Sequence, residues 1–235
     1  MTNQPEILAV FWDVDGVIIE SEPLHVDKIN GTAAKYNLIV TEDDWKEWHG
    51  IGDHRIYLKL KDRGLEISED QFLNECFAYY KGNKDRLVVR KGFKEAFQIV
   101  ANTGAIQAAI TNGVKEQLDV NLSVAGIQDQ LDFRMDANDI VEKGLKTKPA
   151  PDPYLAALER TNEIRAARGL PPIEPENCVI IEDSPSGIMS GDNASMLTVH
   201  WRLSPFHPAS NQADYTAVDA RQFVNVMRNI MPKVA

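Results

Sequence analysis

The chain has 235 residues, 43% hydrophobic and 26% charged, the make-up of a soluble globular protein with room for one large domain or two modest ones. Its 25 Lys and Arg against 35 Asp and Glu leave a formal charge of −10, which argues against nucleic acid and anionic membrane surfaces as partners, since both are gripped by cationic residues. No apolar stretch approaches the ~20 residues that a spanning helix needs.

The first residues, 1–6, are short and polar, without the charged and apolar regions of a secretory signal, so a cytoplasmic protein is the expectation. Ile7–Trp12 is an apolar run that breaks into Asp13-Val14-Asp15-Gly16. Similar runs follow at Ala105–Ile110, Cys178–Ile181 and Leu197–Trp201, with a weaker one at Leu131–Met135. Each is short and is followed by polar or Gly-containing residues and then a helical pattern. That alternation predicts buried parallel strands joined by helices, an α/β fold.

The stretch from about Val17 to Lys91 differs. It offers no convincing strand, places Phe72, Cys76, Tyr79 and Tyr80 at helical spacing, and carries turn signals at Gly50–Asp53 and Gly64. It is expected to be a small helical domain inserted after the first strand, with linkers near Ile18–Glu22 and Val88–Gly92. Further on, Asp152-Pro153 predicts an N-cap and a first helical proline, with Leu155, Leu158 and Thr161 continuing one face. Arg168–Asn177, with three prolines, reads as a surface loop, Ser184-Pro185 as another cap, and Arg221–Met231 as a final amphipathic helix. Cys76 and Cys178 lack C-x-x-C or metal-ligand spacing and are expected to be buried free thiols.

Polar residues collect at the predicted strand ends, where open parallel sheets bind ligands. Asp13 and Asp15, two residues apart, are expensive to hold together without a cation, and Mg²⁺ prefers such hard oxygen donors. Thr111-Asn112-Gly113 offers a hydroxyl and backbone amides ahead of a helix, which suits a phosphate oxygen. Lys148 is fixed among Pro149, Pro151 and Pro153 and is expected at the site rim, where its charge would neutralise phosphoryl oxygens and aspartates. Glu182-Asp183-Ser184 puts a second acidic pair at a strand end. Taken singly, each has a plainer account: solvated aspartates, a threonine cap, a surface lysine, an acidic turn. Their order along the chain is what makes chance agreement a poor explanation.

With these residues in view the sequence resembles the haloacid dehalogenase superfamily from Ile7 to about Trp201, and within it the beta-phosphoglucomutase-like phosphatases. The matching stretches are Asp13-Val14-Asp15-Gly16-Val17-Ile18, Ser21-Glu22-Pro23-Leu24-His25, Thr111-Asn112-Gly113, Lys148-Pro149-Ala150-Pro151-Asp152 and Ile181-Glu182-Asp183-Ser184-Pro185-Ser186-Gly187-Ile188. The resemblance implies a Rossmann-like parallel sheet flanked by helices in residues 1–18 and 92–235, with an all-helical cap in 19–91. It implies Asp13 as a nucleophile forming an aspartyl-phosphate and Asp15 as acid and base, its carbonyl binding Mg²⁺. Thr111, the Asn112 amide and Gly113 would hold the transferring phosphoryl group, and Lys148 would stabilise its charge. Asp183 would bind Mg²⁺ with Asp13, and Glu182 would join them directly or through water.

The cap would select the substrate. His25 sits where mutase-like members carry a cap-side histidine, and Gly50-Ile51-Gly52 with Arg55 resembles the specificity loop, Arg55 being suited to a second anionic group. Family dehalogenases lack the second aspartate, so Asp15 favours phosphate chemistry over carbon–halogen cleavage. The expectation is a Mg²⁺-dependent phosphatase of a small phosphorylated metabolite such as a sugar phosphate, a monomer like many small family members. A sugar phosphomutase and a noncatalytic binding module on the same fold are the alternatives. Two departures stand out: Arg90-Lys91-Gly92, where relatives usually carry an aromatic and a proline before the glycine, and the long loop Arg168–Asn177.

Overall fold

The computed structural model of the chain describes residues 5–48, 52–203 and 209–231. In chain order the elements are β1 (Ala9–Trp12), β2 (Ile19–Glu20), α1 (Glu22–Lys35), α2 (Glu42–Trp48), α3 (Asp53–Asp62), α4 (Glu69–Gly82), β3 (Val88–Val89), α5 (Phe93–Thr103), β4 (Ile106–Ile110) and α6 (Lys115–Ala125). They continue with β5 (Phe133–Met135), α7 (Ala137–Glu142), α8 (Asp152–Ala167), β6 (Cys178–Glu182), α9 (Pro185–Asn193), β7 (Leu197–Trp201), β8 (Tyr215–Ala217) and α10 (Ala220–Ile230). The chain divides into two compact units, Met1–Glu20 with Val88–Ala235, and Ser21–Leu87.

In the first unit six parallel strands form one sheet in the order β5-β4-β1-β6-β7-β8. Their near-continuous apolar runs follow from burial on both faces. Phe11 lies on Tyr154 of α8 (ring centroids 6.4 Å apart), while its neighbour Trp12 points the other way onto Phe93 of α5 (5.3 Å) and Phe223 of α10 (6.4 Å). Alternation along a strand thus feeds two cores at once. The chain leaves β1 for β4 and β5 on one side, then crosses to β6 on the other. β1 is therefore the switch point, where a crevice opens beyond the carboxyl ends of the strands.

The second unit is helical. α1, α3 and α4 enclose Ile29, Ala33, Ile56, Tyr57, Leu60, Phe72 and Cys76, with Trp48 of α2 against them. Ser68 caps α4 by accepting a bond from the Gln71 amide (3.2 Å). Cys76 and Cys178 are buried free thiols, as expected. Among the described residues no helix is long and apolar enough to cross a membrane.

Several local expectations are corrected. The segments read as linkers contain β2 and β3, which pair antiparallel with Ile19 opposite Val89. β8 was not foreseen. Helix α8 is capped by Pro151, and Asp152 is its first residue, whose carboxylate instead accepts the Lys146 amide (2.9 Å). Leu155 is 42% exposed, so the core face of α8 runs through Tyr154, Ala157 and Thr161. The loop after α8 is pinned where Asn162 exchanges two bonds with the Ile173 backbone (2.8 and 3.0 Å).

Candidate active site

Asp13 is the first residue past β1. Its amide still donates to the Ile181 carbonyl of β6 (3.0 Å), which fixes its backbone to the sheet at the switch point. The chain then folds back: the Ile18 and Ile19 amides return to the Val14 carbonyl (2.9 and 3.1 Å). Gly16 takes a left-handed conformation (φ 76°), and a Cβ there would fall 1.9 Å from Asp183 Oδ2. Only a glycine lets Asp183 close on this turn.

From β4, Thr111 places its hydroxyl where the Gly113 amide donates to it (2.9 Å). Asn112 uses its side chain on the Lys148 backbone, accepting from its amide (3.2 Å) and donating to its carbonyl (3.4 Å). Lys148 is thereby held by its backbone as well as its side chain. Its ammonium donates to Asp13 Oδ1 (2.6 Å), Glu182 Oε1 (2.7 Å) and the Ile110 carbonyl (2.8 Å). This corrects its expected position at the rim: Lys148 is 8% exposed and buried against Asp13 and Glu182. The prolines on either side fix an extended path but carry no information about depth.

From β6, Glu182 is 1% exposed. Its Oε1 also accepts from the Tyr154 hydroxyl (2.8 Å), and its Oε2 from Ser184 Oγ (3.2 Å). Ser184 accepts in turn from the Gly187 amide (3.1 Å), capping α9. The first turn of α9 presses on this carboxylate so closely that a Cβ on Gly187 would lie 1.8 Å from Glu182 Cδ. The Asp183 carbonyl bonds His200 Nε2 (2.9 Å). On the other flank, Asp15 Oδ1 accepts from Asn121 Nδ2 (3.1 Å), with Gln117 Nε2 at 3.4 and 3.5 Å from its two oxygens.

The electrostatics follow from crowding. Burial raises the Asp13 pKa well above the usual carboxylate range, and Glu182 raises it further, while Lys148 pulls the other way. Burial and Glu182 push Asp183 up to about 8. Burial disfavours the Lys148 ammonium, yet Asp13 and Glu182 outweigh it and hold its pKa well above the ordinary lysine value. Burial, then Glu182, raises the Tyr154 phenol. One ammonium does not neutralise this many carboxylates. Asp13, Glu182 and Asp183 each present an oxygen within 4.8 Å of the others. An all-oxygen set with excess negative charge suits a hard divalent cation.

The fold therefore brings Asp13, Asp15, Thr111, Asn112, Gly113, Lys148, Glu182 and Asp183 together beyond the carboxyl ends of β1, β4 and β6. His25 and Arg55 belong to the helical unit: His25 is half-buried on α1 with its ring 5.3 Å from that of Tyr80, and Arg55 is exposed on α3. Residues 50 and 51 of the expected specificity loop lie outside the described residues. Sequence reasoning missed Tyr154, Gln117, Asn121 and Arg90. The signal for the amide pair was two polar residues four apart on the buried stripe of α6. For Arg90 it was the departure at the second unit's exit, since its guanidinium donates to the Gly16 and Trp201 carbonyls (the latter 2.8 Å).

Fold and site together define a Rossmann-like α/β enzyme with an acidic centre at the switch point. Residues 10–200 match the model of the haloacid dehalogenase-like hydrolases, and the chain belongs to that family and is a hydrolase. A Thermotoga maritima protein named phosphorylated carbohydrates phosphatase is 25% identical over 230 residues, covering 95% of this chain and 99% of the relative. The solved structure of CbbY from Rhodobacter sphaeroides in complex with phosphate superposes with a TM-score of 0.77 at 20% identity, covering 92% of this chain and 96% of the other. Beta-phosphoglucomutase from Clostridium difficile gives 0.73 at 21%, covering 95% and 97%. These two structures share the fold.

Proposed function

We propose that the chain is a Mg²⁺-dependent phosphatase of small phosphorylated metabolites, sugar phosphates foremost, that works through an aspartyl-phosphate on Asp13. The observation that carries this is the buried bridge from Lys148 to Asp13 and Glu182, which fixes a carboxylate at the switch point beside an acidic cation site. The relative named for phosphorylated carbohydrates supports the substrate class.

Asp13, Asp183 and the Asp15 carbonyl would hold Mg²⁺, with Glu182 directly or through water. When bound, the ion supplies positive charge for the phosphoryl oxygens and relieves the repulsion among the carboxylates. An oxygen of Asp13 attacks phosphorus, and the ester P–O bond breaks. Asp15 gives its proton to the departing oxygen. Thr111 and the Asn112 amide, on the turn closed by Gly113, receive the transferring phosphoryl oxygens, and Lys148 balances their charge. Asp15, now ionised, takes a proton from water, whose oxygen attacks phosphorus. The bond to Asp13 breaks, inorganic phosphate leaves, and Asp15 is again protonated. The helical unit acts as the cap in this reading, with His25 and Arg55 as substrate contacts, and the enzyme works in the cytoplasm as a monomer.

The test is phosphate release from a panel of sugar phosphates and p-nitrophenyl phosphate with Mg²⁺ and with chelator. Turnover that needs Mg²⁺, and that drops on the order of 10⁴-fold in Asp13→Asn, is expected. Absence of turnover, or indifference to Asp13→Asn, would favour a binding module. Isomerisation of beta-glucose 1-phosphate outpacing phosphate release would make it a phosphomutase.

A further inference from the structure

Helix α6 carries a buried stripe, and most of that stripe is what a core requires: Leu118, Leu122 and Ala125. Two positions break the rule. Gln117 is 7% exposed and Asn121 is fully buried. Burying a carboxamide costs free energy unless it finds hydrogen-bond partners. Four residues apart, the two stand one above the other on the helix surface, and both reach Asp15.

Asn121 Nδ2 donates to Oδ1 at 3.1 Å, and Gln117 Nε2 sits astride both oxygens at 3.4 and 3.5 Å. Against a carboxylate each amide presents its NH₂ edge, and Oδ1, which takes the shorter bond from Asn121 as well as one from Gln117, is the more heavily engaged oxygen, so Oδ2 is the better placed of the two to hold the proton. That second oxygen faces the Gly113 turn, where a Cβ would stand 3.6 Å from it and 3.2 Å from the Thr111 hydroxyl. The turn is the one assigned to the phosphoryl group.

We propose that Gln117 and Asn121 are positioning residues for proton transfer: together they clamp Asp15 so that Oδ2 carries the proton to the leaving oxygen. This rests on the reading of Asp15 as the acid of the first step. In that step the ester P–O bond breaks, Asp13 gains the phosphoryl group and the Asp15 proton passes to the departing oxygen. A weakly basic leaving group needs no proton, whereas a strongly basic one does. A loosened clamp therefore harms the two unequally, which a merely structural role would not do.

The experiment compares kcat/KM for phenyl phosphate and for p-nitrophenyl phosphate in the wild type, Gln117→Met, Asn121→Leu and Asp15→Asn, all with Mg²⁺. The ratio cancels the concentration of active enzyme, so partial misfolding does not distort it, and Gln117→Met provides a milder change should Asn121→Leu fail to fold. Each clamp variant is expected to lose about tenfold more on phenyl phosphate than on p-nitrophenyl phosphate, and Asp15→Asn about a hundredfold more, within the usual contribution of a general acid. Gln117→Glu, which keeps the size but removes the donor, is expected to behave no better than Gln117→Met. Equal losses on both esters in the clamp variants, with a shifted ratio in Asp15→Asn, would overturn the clamp. An unshifted ratio in Asp15→Asn would overturn the role of Asp15 itself.

Discussion

Lys148 and Glu182 form an ion pair that water scarcely reaches: Nζ stands 2.7 Å from Oε1, with the side chains 3% and 1% exposed. The same ammonium lies 2.6 Å from Asp13. A buried charge is tolerable only while its partners remain, so the lysine supports the fold and the site at once.

Lys148→Met should therefore cost about 3–5 kcal/mol, because it strands two buried carboxylates. Urea unfolding checks the stability, and phosphatase assays should find turnover abolished. Tyr154→Phe removes only the hydroxyl on Glu182 and should cost about 1–3 kcal/mol while keeping measurable activity. Equal effects of the two changes would contradict the bridging role of the lysine.

Gly187→Ala should fold yet lose metal affinity. The added Cβ would fall 1.8 Å from Glu182 Cδ, so the carboxylate must leave its pocket or the helix must retreat. Calorimetric titration with Mg²⁺ should find binding weakened at least about tenfold, in the range of losses caused by disturbing groups that orient metal ligands. Unchanged affinity would mean that Glu182 takes no part in holding the ion.

Adding Mg²⁺ should raise the thermal midpoint. At a hundred times Kd the stabilisation is about 2.7 kcal/mol, worth roughly 5–10 °C for a chain of this size. Without metal, Asp183 has a folded-state pKa of about 8, above an unfolded value near 4. A raised carboxyl pKa means that ionisation opposes folding. Stability of the metal-free protein should thus be fullest below pH ~4 for this group and fall as pH rises toward about 8. Asp183→Asn should flatten that decline and lose the Mg²⁺ increment, which scanning calorimetry with and without chelator measures.

Arg90→Met should destabilise by about 2–4 kcal/mol, since it leaves buried carbonyls unpaired. The guanidinium lies 3.9 Å from the Trp201 ring centroid as well as bonding the Gly16 and Trp201 carbonyls. Arg90→Lys should not rescue the loss, because an ammonium has neither the planar fork nor the stacking surface. Chemical denaturation of the two variants side by side decides the point.

Much of this architecture was legible because buried parallel strands write themselves as apolar runs. Val10 and Trp12 feed one core while Ala9 and Phe11 feed the other, so no polar alternation hides the strand. The polar residues that follow are conspicuous for the same reason. β2 and β3 were missed because two residues cannot carry a period, and β8 is only three residues long.

The depth of Lys148 was illegible because lysine is ordinarily a surface residue, and only its Asp13, Glu182 and Ile110 partners, distant in sequence, reveal the burial. The role of Tyr154 was hidden in the same way, and Arg90 stood out only as a departure at the exit of the second unit, with nothing to say what it bonds. Tyr154 looks like a routine core aromatic of α8, and the partners of Arg90 lie 74 and 111 residues away. Asn121 resembles any polar residue of a surface helix until the packing of α6 is known.

The proposed mechanism puts the phosphoryl group on Asp13. The enzyme should be mixed with p-nitrophenyl phosphate and Mg²⁺, quenched in acid within the first turnover and reduced with borohydride, then mapped by mass spectrometry. Position 13 should be converted to homoserine, with no such product in the Asp13→Asn variant. Rapid phosphate release with Asp13 unmodified at every quench time, or reduction at another carboxylate, would contradict it.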